Sequence, residues 1–335
     1  MCVSAPLRDV RRCYPSARRA SRRDSAPPLP PPAPAPAPAP ADAESKRLPY
    51  RTLVEAPSLF AALGDVAGAR VLDLGCGSGH FARALLARGA REVVGVDLSA
   101  AMVGLARRGH ADEPRARFLV GDAMRPQELR ALALGEFDVV LGAYLLNYAD
   151  SPAGLRAMAA SVAAHLAPAG RFVGVNDAFV ETTAAEPAPA GAPQPFRFSR
   201  QVVRAGCGGG ACACSGGGGG GGGCACGGGV PGGCACGGGG GAAAAAPRVR
   251  LRFFKADGLT EICAFDNYLL GEEAYVGAFA AEGLALARAP LVRVLAAAGD
   301  GAAPSTSEED WARFMAAPPL VALVARRRGG AVQPA

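Results

Sequence analysis

Short apolar runs alternate with amphipathic stretches along the middle of the chain. The runs predict strands near residues 70–74, 92–96, 117–120, 137–142 and 170–175. The stretches between them place apolar residues three and four positions apart, and they predict helices near 78–88, 99–108 and 152–166. Because strands alternate with helices, the pattern predicts an α/β fold with a parallel sheet and helices on both faces. Ligands of such sheets bind at the carboxyl ends of the strands.

The flanking segments carry further elements. A short helix between Leu48 and Leu63 should lead up to the first strand. After residue 248, two apolar runs at 249–255 and 260–266 predict a β-hairpin. Beyond the hairpin we expect a helix that ends at Gly283, a strand within 284–294, a helix over 308–316 capped by Ser307, and a last strand over 320–326.

The first predicted strand ends in three alternating glycines, Gly75, Gly77 and Gly79. Glycine lacks a Cβ, so the backbone can turn tightly and a ligand can lie directly on it. The helix that follows offers unpaired N–H groups and the positive end of its dipole, which suits an acidic ligand. Dinucleotide-binding dehydrogenases use a similar turn, but their spacing requires a glycine at the position of His80 and has no need of a carboxylate at Asp73.

Two more carboxylates follow predicted strand ends. Asp97 ends the second strand, where a carboxylate can accept from both ribose hydroxyls of a nucleoside, a geometry shared with nicotinamide enzymes. Asp122 follows the third strand, between Gly121 and Ala123. Each acid alone is equally well explained as a solvated loop residue or a helix cap. Three acids at three successive strand ends, together with the glycines, favour a nucleoside site.

The Asp-x-Gly-x-Gly-x-Gly segment at 73–79 resembles motif I of the class I S-adenosylmethionine-dependent methyltransferases. The resemblance implies a Rossmann-like fold of seven mostly parallel strands, with helices on both faces and an antiparallel last strand at the edge of the sheet. It implies S-adenosylmethionine as the cofactor, with Asp73 serving the amino group of its methionine part and residues 121–123 the adenine amino group. The cofactor-binding residues on this basis are Asp73, Gly75, Cys76, Gly77, Gly79, Asp97, Leu98, Met102, Gly121, Asp122, Ala123 and Ala143.

The Ala-Tyr-Leu-Leu-Asn-Tyr-Ala segment at 143–149 resembles the small-molecule branch that includes toxoflavin synthase and the type 11 and type 25 methyltransferase domains. This implies methyl transfer to N or O of a small heteroaromatic acceptor by in-line SN2 displacement. We assign Tyr144 and Asn147 to the acceptor side and Asp177 as a candidate base, although Tyr144 would also suit simple packing under the next helix. Four residues of the predicted hairpin are candidates for the substrate side: Phe254, Asp266, Asn267 and Tyr268. Each is equally well explained as an ordinary hairpin residue.

Residues 1–45 have the composition of a disordered leader, Arg-rich at first and then a Pro-Ala linker. Residues 1–51 hold 10 Lys or Arg and 4 Asp or Glu, so they carry the whole net charge of +6 and leave the rest balanced. We therefore expect neither nucleic acid nor an anionic membrane as partner. No run of about 18 apolar residues exists, so we also expect no transmembrane helix. The leader is interpreted as a plastid or mitochondrial transit peptide or as a biased tail, and in the second case the protein is cytoplasmic.

Residues 181–247 form a low-complexity insert that is nearly pure glycine in its second half. It carries Cys-Ala-Cys three times, but zinc sites favour Cys-x2-Cys, no histidine intervenes, and flexible glycine makes a preformed ligand set costly. We therefore expect no metal. The cysteines also do not suggest a secreted disulfide framework, so we expect a reducing compartment. The predicted division is a methyltransferase core at 46–180, its C-terminal part at 248–327, and a tail at 328–335.

One departure from the family concerns the segment before motif I. The family has a folded lead-in there with a tyrosine that closes over the cofactor, whereas this chain has the Pro-Ala repeat, with Tyr50 as the nearby substitute. Three interpretations follow. The first is an active small-molecule methyltransferase, the second a non-catalytic cofactor-binding or scaffold protein with a degraded lid, and the third a nicotinamide oxidoreductase, against which Asp73, His80 and Asp122 argue.

Overall fold

The computed structural model describes residues 48–179, 196–203, 248–255, 257–294 and 307–329. The Arg-rich leader, the Pro-Ala linker and the glycine-cysteine part of the insert lie outside the described residues. The strands are β1 (Arg70–Leu74), β2 (Glu92–Asp97), β3 (Ala116–Val120), β4 (Phe137–Ala143), β5 (Leu166–Asp177), β6 (Phe198–Val203), β7 (Arg248–Phe254), β8 (Glu261–Tyr268), β9 (Leu284–Ala289) and β10 (Leu320–Arg327). The α-helices are α1 (Ala56–Leu63), α2 (Ala82–Ala87), α3 (Ala100–Gly109), α4 (Pro126–Ala131), α5 (Pro152–His165), α6 (Glu272–Ala281) and α7 (Glu308–Ala316).

Seven strands form the main sheet in the order β3-β2-β1-β4-β5-β10-β9. The pairs from β3 to β5 are parallel, and β10 runs antiparallel to both of its neighbours. Two apolar clusters lie on the two faces, and the helices between the strands cover them. The predicted Rossmann-like sheet, mostly parallel with an antiparallel last strand, is confirmed.

The position of β10 corrects one prediction. We expected the last strand at the edge of the sheet, but β10 lies between β5 and β9, and β9 is the edge strand. Its sequence explains the place, because a run of apolar residues from Leu320 to Ala325 buries side chains on both faces, as an interior strand must. The β9 strand instead exposes several of its side chains.

Helix α2 begins later than the predicted residue 78, at Ala82. The backbone at Gly75, Gly77 and Gly79 has positive φ values of 76°, 54° and 80°, so residues 75–79 form a turn rather than helix. The other ends follow the sequence signals. Ser307 caps α7 within a capping box, and Gly283, at φ 72°, follows α6.

A second sheet of three antiparallel strands, in the order β6-β7-β8, packs beside the main one. The predicted hairpin is confirmed as β7 and β8. The third strand, β6, lies at 198–203, within the segment that we assigned to the insert. This part of the segment therefore belongs to the second sheet. The signal was local: Phe196 to Val203 holds aromatic and β-branched residues, whereas glycine begins to dominate only after residue 205.

The lead-in segment before β1 is folded. A π-helical turn at Arg51–Glu55 continues into α1, as the sequence predicted for this helix. Tyr50 is only 4% exposed, and its ring lies 4.5 Å from the ring of Phe198 in β6. Tyr50 is therefore part of the core between the lead-in segment and the second sheet. Within the described residues, no helix combines the length and apolar character needed to cross a membrane.

Candidate functional site

The glycine turn joins the carboxyl ends of β1 and β2. The backbone N–H groups of Gly75 and Cys76 both donate to the carbonyl of Val96, at 2.7 and 3.1 Å. A Cβ at Gly75 would lie 3.3 Å from the side chain of Leu145, in addition to the strain of its positive φ. The glycines thus serve both the turn and the close approach of the loop after β4.

Asp97 closes the turn from the second strand. Its Oδ2 accepts from the N–H of Gly77 at 2.8 Å, and its Oδ1 accepts from the N–H of Ser99 at 2.8 Å. Burial raises the pKa of Asp97, and these two hydrogen bonds oppose that rise. Each carboxylate oxygen can accept more than one bond, so Asp97 can still receive two hydroxyl groups at this edge of the sheet.

Asp73 is the most isolated acid of the site. It is 2% exposed, and its Oδ2 has no hydrogen-bond partner within the described part of the chain. Burial, and then the nearby charge of Asp97, raise the pKa of Asp73 to about 7. A buried, unpaired carboxylate is costly, and a cation with N–H donors would relieve both its missing hydrogen bond and its repulsion from Asp97. The residue therefore fits the amino group of an amino-acid cofactor.

The third acid lies on the loop after β3. The N–H of Gly121 donates to the Asp97 carbonyl at 3.0 Å, which holds this loop against the end of β2. Asp122 Oδ1 accepts from the N–H of Met124 at 2.8 Å. A Cβ on Gly121 would come within 2.8 Å of side-chain atoms of Val96 and Leu129, so a larger residue there would require these side chains to shift. The structure thus brings all three predicted carboxylates to one edge of the sheet.

Apolar side chains accompany the acids. Leu98, directly after Asp97, is 62% exposed although it is large and apolar. Met102, in the first turn of α3, is half-buried, and so is Ala143 at the end of β4. An exposed leucine beside two acid-bearing loops offers a surface for a flat ring such as adenine.

Tyr144, on the acceptor side, has a positive φ of 57° and donates its hydroxyl to Glu55 Oε2 at 2.7 Å. Glu55 is 5% exposed, and the guanidinium Nε of Arg51 lies 3.7 Å from its Oε2. The Arg51 guanidinium also lies 5.6 Å from the centre of the Tyr144 ring. Sequence reasoning missed Arg51 and Glu55. Their signal was a charged pair four residues apart in an otherwise apolar helix.

Asn147 and Asp177 are in direct contact. The Asn147 Nδ2 group donates to Asp177 Oδ2 at 3.0 Å, and the Asp177 N–H donates to Asn147 Oδ1 at 3.3 Å. Asn267, from β8, donates its Nδ2 group to the same Asp177 oxygen at 2.8 Å. Burial raises the pKa of Asp177, against the charges of Arg200 and Arg51. The structure therefore joins two of the three predicted acceptor-side residues, while Tyr144 bonds to Glu55.

Asp266, another hairpin candidate, does not join this cluster. Asp266 forms a two-pronged ion pair with Arg250, at 2.7 and 3.0 Å, on the opposite face of the second sheet from Asn267. It is therefore a structural residue. Within the described ranges, no three His, Cys, Asp or Glu side chains come together as a metal site would require.

Comparison with known proteins agrees with this geometry. A family profile described as "Methyltransferase domain" matches residues 71–170, which hold the glycine turn and all three acids. The chain carries a methyltransferase domain. The resemblance to the S-adenosylmethionine-dependent methyltransferases is thereby confirmed, and S-adenosylmethionine is the cofactor of this methyltransferase domain.

Curated relatives match only part of the chain. The ubiquinone biosynthesis O-methyltransferase of Acinetobacter baylyi is 32% identical over 92 residues, covering 28% of this chain and 38% of the relative. The tRNA U34 carboxymethyltransferase of Methylococcus capsulatus is 37% identical over 97 residues, covering 28% of each chain. The chain thus spans less than half the length of the curated relatives that it matches.

Solved structures match a larger share of the chain than the curated relatives do, but at lower sequence identity. CalS10, an amino pentose methyltransferase from Micromonospora echinaspora solved with bound S-adenosylmethionine, is 22% identical with a TM-score of 0.46, covering 82% of this chain and 89% of its own. The glycopeptide N-methyltransferase MtfA with S-adenosylmethionine is 18% identical with a TM-score of 0.43, covering 82% and 93%.

Proposed function

We propose that the protein transfers the methyl group of S-adenosylmethionine to N or O of a small heteroaromatic molecule. The observation that carries the proposal is the convergence of Asp73, Asp97 and Asp122 at one sheet edge within the matched domain. The unpaired Oδ2 of Asp73 supports it further, because that atom lacks the donor that the amino group of the cofactor would provide.

Each part of the cofactor has a group to hold it. Asp73 takes the amino group, Asp97 the ribose hydroxyls, and residues 121–123 the adenine edge. The apolar side chains of Leu98 and Met102 take the adenine faces, with Ala143 beside the end of β4. When bound, the cofactor supplies a methyl group on a sulfonium, which is already activated toward displacement. The chain then has to orient the acceptor and exclude water.

On the acceptor side, Tyr144 and Asn147 line the site and bind the edge of the acceptor. Asp177 is the candidate base, because burial raises its pKa and so makes its carboxylate a stronger proton acceptor than an exposed one. A hydroxyl acceptor needs such a base, whereas a ring nitrogen with a free lone pair does not. Asp177 already accepts two amide N–H groups, so its carboxylate is held in a fixed orientation.

The lead-in segment and the second sheet cover this region. Tyr50, Phe198 and Phe253 form an apolar contact beside the guanidinium of Arg51, and Tyr50 and Phe253 are nearly fully buried. Water exclusion by such a cover strengthens the electrostatic interactions inside the site. The folded lead-in segment favours an active enzyme over the degraded-lid interpretation.

The charge balance of the chain supports a small-molecule acceptor. Outside residues 1–51 the charges cancel, so no basic excess is available for nucleic acid. We keep the cytoplasm as the proposed compartment, with an organelle as the alternative if the Arg-rich leader is a transit peptide; fractionation of tagged protein separates the two.

The deciding experiment is calorimetric titration of the full chain with S-adenosylhomocysteine, with NAD as the control. Binding of S-adenosylhomocysteine alone supports the proposal and justifies a screen of heteroaromatic acceptors with labelled cofactor. Preferential NAD binding would overturn it in favour of an oxidoreductase. Cofactor binding without turnover on any acceptor class, RNA included, would support a cofactor-binding scaffold.

A further inference from the structure

Two polar residues share the inner face of the second sheet. In the strand register Arg200 lies opposite Leu251, and Asn267 lies opposite Val249. Residues directly opposite each other share a face, and so do residues two apart on one strand, so Arg200 and Asn267 point the same way. Leu251 and Val249 are 5% and 0% exposed, which shows that this face is the buried one.

Both polar residues lie beside Asp177. Asn267 donates to Asp177 Oδ2, and the charge of Arg200 acts on the same carboxylate. Arg200 also donates one terminal nitrogen to the carbonyl of Ala178 at 2.6 Å. Arg200 and Asn267 therefore flank the acid that we propose as the base of the reaction.

Each of the two keeps one unsatisfied atom. Within the described residues, the buried Nε of Arg200 and the buried Oδ1 of Asn267 have no hydrogen-bond partner. Asn267 is only 4% exposed, so water from the surface does not reach its side chain freely. The amide orientation follows from chemistry, because a carboxylate only accepts, and the Nδ2 group must therefore face Asp177 and leave Oδ1 free.

The unsatisfied atoms are complementary. Arg200 Nε is a donor and Asn267 Oδ1 is an acceptor, so one group that both accepts and donates would satisfy the two together. The formal charges nearby are also balanced, since Arg200 faces Asp177 and Arg51 faces Glu55. A neutral ligand group suits such a site better than an ion does.

We infer that Arg200 and Asn267 are specificity-determining residues that recognise a neutral donor–acceptor group of the methyl acceptor, such as a ring lactam. The Arg200 Nε–H donates to the lactam carbonyl, and Asn267 Oδ1 accepts from the lactam N–H. This inference rests on the proposed function, because it assigns the acceptor to the same site.

The test uses 2-pyridone, a minimal ring lactam, and N-methyl-2-pyridone, which lacks the N–H. Binding of each to the full chain saturated with S-adenosylhomocysteine is followed by ligand-observed NMR. We expect 2-pyridone to bind about tenfold more tightly, the factor for one hydrogen bond of ordinary strength. Asn267→Leu should weaken 2-pyridone binding to the level of the methylated probe. Arg200→Lys, which keeps the charge but moves the donor, should weaken the binding of both probes, because both carry the carbonyl.

The matched controls lie on the outer face of the same sheet. Arg252 and Gln201 are exposed there, so Arg252→Lys and Gln201→Leu should leave both probe affinities unchanged. Melting temperature and S-adenosylhomocysteine affinity, measured on the same samples, report folding and the cofactor site separately. Three results would overturn the inference: equal binding of the two probes to the wild-type chain, an Asn267→Leu variant that keeps the preference, or an Arg200→Lys variant that binds both probes as tightly as the wild type. Loss of S-adenosylhomocysteine binding in the wild type would instead overturn the proposed function.

Discussion

The hydroxyl of Tyr144 donates to Glu55 at 2.7 Å, and this bond ties the loop after β4 to the lead-in helix across 89 positions of sequence. Both residues are held within the fold, since Tyr144 packs against the first apolar cluster and Glu55 is buried. The bond links the order of the lead-in segment to the conformation of the loop on the acceptor side.

Tyr144→Phe removes this bond and keeps the ring. A buried acceptor that loses its donor costs about 1–3 kcal/mol, so we expect the free energy of unfolding in urea to fall by about that amount. Tyr148→Phe is the control, because Tyr148 is 45% exposed and an exposed substitution should change stability by less than about 0.5 kcal/mol. Equal effects of the two substitutions would show that the Glu55 bond contributes nothing specific.

Asp97→Ala should weaken S-adenosylhomocysteine binding by about 2 kcal/mol, or about thirtyfold in Kd, because it removes two accepting oxygens from the proposed ribose site. Titration calorimetry measures the change. Asp112→Ala serves as the control, since Asp112 is an exposed acid paired with Arg83 at 2.9 Å. Unchanged affinity in Asp97→Ala would remove Asp97 from the site.

Asp73 should make the free protein less stable as the pH rises. Its pKa is about 7 in the folded chain against an ordinary value of 3.8, so between these values the folded state binds more protons than the unfolded state. The free energy of unfolding should therefore fall through this window, on the order of 1 kcal/mol per pH unit from this group. Denaturation at a series of pH values should show a flatter profile for Asp73→Asn, and identical profiles would contradict the assignment.

Ligand binding should show the opposite trend at the same residue. A cationic amino group favours the ionised form of Asp73, so the affinity for S-adenosylhomocysteine should rise as the pH rises through about 7. The ligand's own amino group is still protonated in this window. Asp73→Asn should bind more weakly, with an affinity that no longer rises in this range. A wild-type affinity that falls with pH would argue against contact between the two groups.

Deletion of residues 205–246 with a short linker should leave folding and S-adenosylhomocysteine affinity intact. The register supports this, because Val203 at the end of β6 lies directly opposite Arg248 at the start of β7. Two antiparallel strands in that position can be joined by a tight turn. Melting temperature and calorimetry check the result. Loss of both would show that the deleted segment contributes to the fold.

Local signals predicted most of the elements. The strands up to β4, the capping of α7 by Ser307 and the end of α6 just before Gly283 follow from periodicity, side-chain capping and glycine's positive φ. All of these act within a few residues. The glycine turn and its three acids were predictable for the same reason. Parallel strands bring their carboxyl ends to one edge, so the order of strands and acids in the chain was enough to gather them.

The sequence by itself thus determined the α/β class, the cofactor end of the sheet and the residues placed there. Only the tertiary structure decided the position of β10 between β5 and β9, the third strand of the second sheet, and the partners of Tyr144 and Asp177. All of these depend on contacts between distant segments, and the partners of Tyr144 and Asp177 lie 89 and 90 positions away in the sequence. No local period encodes such contacts, because they arise only when separate apolar faces are buried against one another.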